Sequence, residues 1–226
     1  MAPSIPQAMR LAASDFYFNS LRFVPANAVW AVAIVAALFA AIVWPPATLL
    51  LAVSAVPIAG LHRMAALLAR GEPVSLSDFM DGMRRFGLQA LGIAAGAALL
   101  AVVFVVNVAI GFGADGPLGW FLGATALYGL VALAMSLVAV WPVLVDPRHE
   151  TATLRRRLRV AALVLIGRPG RLFLLTAVIG AILAVSTVLL AGIVLFGVAY
   201  SSLVATRWVL PAADELEARY EAARAR

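Results

Sequence analysis

The chain has 226 residues, of which 64% are hydrophobic and 12% charged, and its mean hydropathy is +1.02. Soluble domains hold about 45–50% apolar residues, so an ordinary water-soluble fold is excluded. The net charge of +6 comes from 17 arginines, no lysine and 11 acidic residues, and the lack of cysteine removes disulfides, thiolate metal sites and cysteine nucleophiles.

In residues 1–23, Ile5, Met9, Phe16 and Phe23 recur about one helical face apart. That spacing predicts a helix lying in the membrane interface. The long apolar run begins only after residue 22, and Ile42-Val43-Trp44-Pro45 offers no small-x-small site, so a cleaved signal peptide is not expected.

Four stretches then carry neither charge nor histidine: Phe23 to Leu61, Phe86 to Ala114, Gly116 to Val145 and Leu172 to Thr206, of 39, 29, 30 and 35 residues. One bilayer crossing needs about 20 apolar residues. The first stretch is divided at Trp44-Pro45-Pro46, because adjacent prolines remove donors and clash with the preceding turn. The predicted spans are Val24 to Val43, Pro46 to Leu68, Gly87 to Ile110, Leu118 to Val145, Leu172 to Leu190 and Ile193 to Leu210. The break near Ala191-Gly192 has a competing reading, a single kinked helix, because nothing polar marks a turn there. The expected fold is thus an all-α transmembrane bundle of about six spans (residues 24–210). Two short cytoplasmic amphipathic helices and a cytoplasmic tail (residues 211–226) complete it.

Six spans put both termini on one side, and all 17 arginines then fall on that side: two before the first span, four after the second, seven after the fourth and four toward the C-terminus. The opposite side carries only Asp115. The positive-inside rule assigns the arginine side to the cytoplasm. Outside the cell only three short turns are expected, so a soluble partner is expected on the cytoplasmic face.

The first cytoplasmic connection reads as a helix opened by a Ser75/Asp78 capping pair. Leu76, Phe79, Met80, Met83 and Phe86 form one apolar stripe, with Arg84 and Arg85 largely off it. These seven residues are the candidate partner-docking surface, set against the plainer reading of a helix lying on the membrane. The second connection places Leu154, Leu158, Ala161 and Leu165 on one face. Arg155, Arg156, Arg157 and Arg159 read as lipid-facing orientation anchors. A nucleic-acid partner is not expected, because interleaved aromatics and a recognised binding fold are missing.

Within the spans, Asn107, Tyr128 and Ser136 are the notable polar residues, and no ionisable group lies at mid-span. A pump or coupled transporter usually needs such groups. His62 and Arg63 sit at the cytoplasmic end of the second span, within snorkelling reach of the headgroups. Gly92/Gly96 and Gly119/Gly123 are GxxxG pairs, read as packing within the chain. No metal site, cofactor or catalytic residue is expected.

Three stretches resemble the YesL-type family of bacterial integral membrane proteins. They are Asn27-Ala28-Val29-Trp30 followed by Pro46-Ala47-Thr48; Arg63 through Arg70-Gly71-Glu72 with Phe79 and Phe86; and Trp141-Pro142, Asp146 and Arg168-Pro169 around a basic helix. The family pattern has glycine where this chain has Pro45, and the 155–159 arginine cluster is heavier here. The resemblance implies a bacterial plasma-membrane protein that is a non-enzymatic accessory to carbohydrate uptake, with permease or ATPase subunits of an ABC importer as partners. The residues themselves leave an alternative, an autonomous carrier or channel with a polar path through Asn107, Tyr128 and Ser136. They also leave the oligomeric state open.

Overall fold

The structure, a computed structural model, describes residues 2–114, 116–189 and 192–224, without the side chains of residues 45–49. Asp115, Arg226 and the Ala191 half of the expected break lie outside the described residues, as do the side chains of Pro46, Ala47 and Thr48. Seven α-helices account for most of the chain: α1 (Ile5–Val43), α2 (Ala55–Ala69), α3 (Leu76–Gly113), α4 (Pro117–Leu144), α5 (Leu154–Gly167), α6 (Pro169–Val188) and α7 (Val198–Arg224). A 3-10 segment, Pro45–Ser54, leads into α2, and a π-helical turn, Ile193–Gly197, leads into α7. Among the described residues, six helical segments are long and apolar enough to cross a membrane, with α5 the exception. The polytopic all-α bundle expected from the uncharged stretches is therefore present.

The helices that lead into α2 and α7 form the centre. Their most apolar windows are 61% and 67% buried inside the protein, against 22–28% for α1, α4 and α6 and none for α3. Exposed aromatics near the two ends of the bundle include Tyr17 and Phe18 toward one, and Trp44 just past α1 with Trp120 and Phe121 on α4 toward the other. Phe18 lies on α1 and Trp44 caps its C-terminus, so at ~1.5 Å per residue they are about 39 Å apart. That span approaches the thickness of a bilayer with its headgroups, where aromatic belts form.

The first amphipathic segment is not a separate interfacial helix. Residues 5–23 continue directly into the first span, with only a kink at Asn19 (φ −118°, ψ 18°). Their buried face is Ile5, Ala8, Ala12 and Phe23, and it packs within the bundle. Tyr200 on α7 donates its hydroxyl hydrogen to the Met9 carbonyl at 3.2 Å, and Arg207 grips both oxygens of Asp15 at 2.5 and 2.7 Å. The alanines admit close helix approach, a signal that large residues alone do not reveal.

The 75–86 helix is likewise the opening of α3, one 38-residue helix. Its capping box is formed as expected, with the Ser75 N–H donating to Asp78 Oδ2 at 2.8 Å. This opening crosses α2 so tightly that a Cβ on Gly60 would lie 2.6 Å from the Phe79 ring, and one on Gly82 would lie 2.7 Å from Arg63 Cβ. The GxxxG pairs divide. Gly119 and Gly123 press against Gly111 and Phe112 of α3 and Ala114 just past it, whereas a Cβ at Gly92 or Gly96 would meet open space.

The last apolar stretch is two helices. A Cβ on Gly197 would lie 3.0 Å from Ser186 Cβ, so the chain doubles back between them. A π turn shifts the hydrogen-bond ladder and leaves carbonyls without their usual partners. Asn27 of α1, fully buried, repairs this. Its amide donates to the carbonyls of Ile193 (2.8 Å) and Val194 (2.6 Å), while its oxygen accepts from the Ala199 N–H (2.8 Å). Such repair is compulsory inside hydrocarbon, where no water replaces a lost partner. Asn27→Leu is expected to lower stability by about 1–3 kcal/mol, the cost of orphaned buried polar groups. Thermal melts in lipid nanodiscs, with the exposed Val29→Leu as control, measure this. Equal melting of both variants and the parent would contradict the repair.

Candidate functional site

All the segments that bear arginines meet at one end of the bundle, and ion pairs join them. The central group is Arg70, just past α2. Gly71 takes a positive φ of 81° there, and the N–H groups of Gly71 and Glu72 reach back to the Leu68 and Leu67 carbonyls at 3.0 and 2.9 Å. This is the Schellman closure that a left-handed glycine permits. It turns the chain away and leaves Arg70 facing inward, its side chain 10% exposed.

The Arg70 guanidinium is shared between two carboxylates. Nε and Nη2 donate to Asp146 at 3.0 and 2.5 Å, and Nη1 and Nη2 donate to Asp214 at 2.6 and 3.0 Å. Burial alone would lower this arginine's pKa, but the hydrogen bonds to Asp214 and Asp146 outweigh it and hold the pKa above its ordinary value. Asp146 is 1% exposed and also caps the short 3-10 turn Pro147–His149. His149 spans from Asp146 (Nδ1, 3.3 Å) to Glu217 on α7 (Nε2, 3.0 Å), and Glu217 also accepts from Arg156 on α5 at 3.0 Å. Arg168, at the start of α6, reaches Glu215 at 2.7 Å. The clamp thus ties α2, α5, α6 and the α4–α5 connection to α7.

A second layer closes α4. The last carbonyls of a helix have no partner within it. Arg157 donates Nη1 to the Leu144 carbonyl at 2.8 Å, and Arg63 donates Nη1 to the Val145 carbonyl at 3.0 Å. Arg157 also reaches the His149 and Glu150 carbonyls at 3.1 and 2.8 Å. Both guanidinium groups sit against the Phe86 ring, 5.9 Å (Arg63) and 5.2 Å (Arg157) from its centroid. Burial pushes the Arg157 pKa below its ordinary value.

Several sequence expectations change accordingly. Arg157 is no lipid anchor: it is 4% exposed and lies with Val160, Ala161 and Val164 on the inward face of α5, while Leu154 and Leu158 turn outward. Arg155 and Arg159 are exposed, and Arg156 is exposed but paired with Glu217 and Glu221. Arg63 does not snorkel, since it is 7% exposed and consumed by the α4 terminus. Residues 211–224, the expected tail, are the last turns of α7 and are held by Asp214, Glu215 and Glu217.

The candidate docking stripe splits into two faces. Phe79 and Phe86 are buried at 2% and 3% and Met83 is partly buried, whereas Leu76 and Met80 are exposed at 44% and 42%. Arg85 is paired with Asp81 at 2.8 Å and with Glu150. Arg84 is exposed and has no ion pair among the described residues. Of the remaining family-motif residues, Trp30 packs partly buried against the core and Glu72 is exposed.

The polar residues of the spans do not assemble. Asn107 and Ser136 donate to carbonyls four residues back on their own helices, Val103 at 2.9 Å and Ala132 at 2.8 Å. Tyr128 is 76% exposed on the outer surface. No hydrogen bond joins any two of the three among the described residues.

The sequence reading did not bring Arg63, Asp146, His149, Asp214 and Glu217 together into one site. Scarcity was the available signal: 11 carboxylates face 17 arginines, so an acidic residue at a span end has an arginine to meet. Comparisons with protein-family models, curated proteins and solved structures find no match for the chain.

Removing one partner of a buried pair strands the other charge, at about 3–5 kcal/mol. Arg70→Leu is expected to cost that much in nanodisc melts. Arg155→Leu, on the exposed face, is expected to change stability by less than about 0.5 kcal/mol. Similar effects for both would contradict the clamp.

Proposed function

We propose that the chain is a non-enzymatic accessory subunit of a membrane complex, with its arginine-rich end as a docking platform for a partner. One observation carries this reading. Most carboxylates of that end are spent on bracing it internally, yet Leu76 and Met80 stay exposed at the opening of α3 beside Arg84, which has no ion pair among the described residues. An apolar pair rimmed by arginine on a rigid support is the composition of a contact surface, where arginine and methionine are enriched.

By the positive-inside rule this end faces the cytoplasm, with both termini there. The resemblance to the YesL-type family supports the bacterial plasma membrane as the location. It also makes carbohydrate import the suggested setting, with permease or ATPase subunits of an ABC importer as partners. Titratable groups of the clamp are committed to one another, which leaves none of them as a free, positioned general acid or base.

The test is affinity purification of the tagged full chain from its native membrane in mild detergent, with mass spectrometry of what co-purifies. ABC importer subunits are expected in stoichiometric amount. Met80→Glu with Arg84→Glu is expected to reduce their recovery at least tenfold while the protein remains in the membrane at parental level. Undiminished recovery with the double variant would reject this surface. Recovery of the chain alone would reject the accessory reading.

A further inference from the structure

Helix α5 joins the end of α4 to the start of α6, and both of those belong to the arginine-rich end. With 14 residues, about 21 Å, it runs along the rim of the bundle rather than across the bilayer. Its inward face is Arg157, Val160, Ala161 and Val164. Two features meet on the side of α5 that turns away from the bundle.

The first is an apolar groove of about 160 Å³ between α4 and α5. Val140 and Ser136 form its α4 wall, and Leu158, Ala161, Ala162 and Leu165 its α5 wall. Val140 and Ser136 lie about 6 and 12 Å along α4 from its last residue, Leu144, so the groove extends from the rim into the spanning region. Ser136 is the only hydroxyl in the lining, and it donates to the Ala132 carbonyl at 2.8 Å. The groove therefore asks no hydrogen bond of its occupant, and water finds no partners in it. On the spanning surface of a bundle, an open furrow of this kind is filled by an acyl chain. What the structure adds is the headgroup that chain brings.

The second feature is a pair of arginines. Arg155 and Arg159, one turn apart on α5, are exposed and have no ion pair among the described residues. Glu217 and Glu221 line a recess on the other side of α5 together with Arg159, but both are paired with Arg156. Leu158 is three residues beyond Arg155, and Ala162 three beyond Arg159, so each arginine neighbours a wall residue of the groove. Two adjacent guanidinium groups without a carboxylate suit a phosphate, which accepts from both. Orientation of the chain needs positive charge at this end, but it needs no groove beneath that charge.

We propose that α4 and α5 form a binding site for one anionic phospholipid of the leaflet at the arginine-rich end. One acyl chain lies in the groove, and the phosphate meets Arg155 and Arg159. A zwitterionic lipid carries its own cation, which the two arginines repel, so the site selects a headgroup of net negative charge. It uses no residue of the Leu76 and Met80 surface and stands independently of the accessory-subunit reading.

The probes are dioleoyl phosphatidylglycerol and dioleoyl phosphatidylcholine, which share their chains and differ in headgroup charge. Each is titrated against the full chain in detergent, and one-lipid adducts are measured by native mass spectrometry. Phosphatidylglycerol is expected to bind at least about fivefold tighter, the worth of one arginine near a headgroup. Arg155→Gln with Arg159→Gln is expected to erase that preference. Arg10→Gln with Arg22→Gln removes the same charge from exposed positions of α1, and is expected to leave the preference unchanged. Ala162→Trp, at an exposed position of the groove, is expected to lower the affinity of both lipids at least about fivefold by filling it. Equal affinity of the parent chain for the two lipids would overturn the proposal, and that comparison needs no variant. So would equal losses from the two arginine pairs, which mark a general attraction to the basic end, or undiminished binding by Ala162→Trp.

Discussion

A polar group within a membrane protein must find its partner inside the protein. Hydrocarbon offers no substitute hydrogen bond, and each orphaned group costs several kcal/mol. Most of the specific features of this chain follow from that constraint. Helix interiors satisfy themselves, so the demand concentrates where a helix ends or departs from regular geometry. Asn27 answers it at the π turn before α7, and Arg63 and Arg157 answer it at the end of α4. Asn107 and Ser136 answer it more simply, by bonding to their own helices.

The same constraint gives the arginine-rich end its form. A guanidinium carries five donors in a planar fork, so one arginine serves several carbonyls or two carboxylates at once. Arg70 joins Asp146 and Asp214, and Arg157 gathers the carbonyls of Leu144, His149 and Glu150. Helices that cross the bilayer side by side are thereby fixed to one another where they leave it. A brace of this kind does no chemistry by itself. It sets the positions of what remains exposed, the Leu76 and Met80 surface with its neighbouring arginine.

The bundle was legible in the sequence because uncharged length is a direct physical signal. The 3-10 segment, the kink at Asn19 and the continuity of α1 and α3 were not, because local pattern does not reveal whether two helical segments share an axis. Apolar stripes told where helices are amphipathic but not which face turns inward: Phe79 and Phe86 are core, whereas Leu76 and Met80 are surface. Small residues carried information that their size disguised, as at Ala8, Ala12, Gly60 and Gly82. The clamp was least legible. The arginine cluster at 155–159 reads as a uniform basic run, yet helical geometry turns Arg157 inward and leaves Arg155 and Arg159 outside. Its partners come from residues 63 to 217, and sequence separation hides such pairing.

The central claim is that ion pairs hold the last turns of α7 as part of the bundle rather than as a free tail. Hydrogen–deuterium exchange of the amides of residues 211–221, with the full chain in nanodiscs, tests it most directly. Slow exchange is expected in the parent chain, with strong acceleration confined to this segment in Asp214→Asn. Exchange at the rate of an unstructured peptide in the parent chain, or no change in Asp214→Asn, would contradict the account.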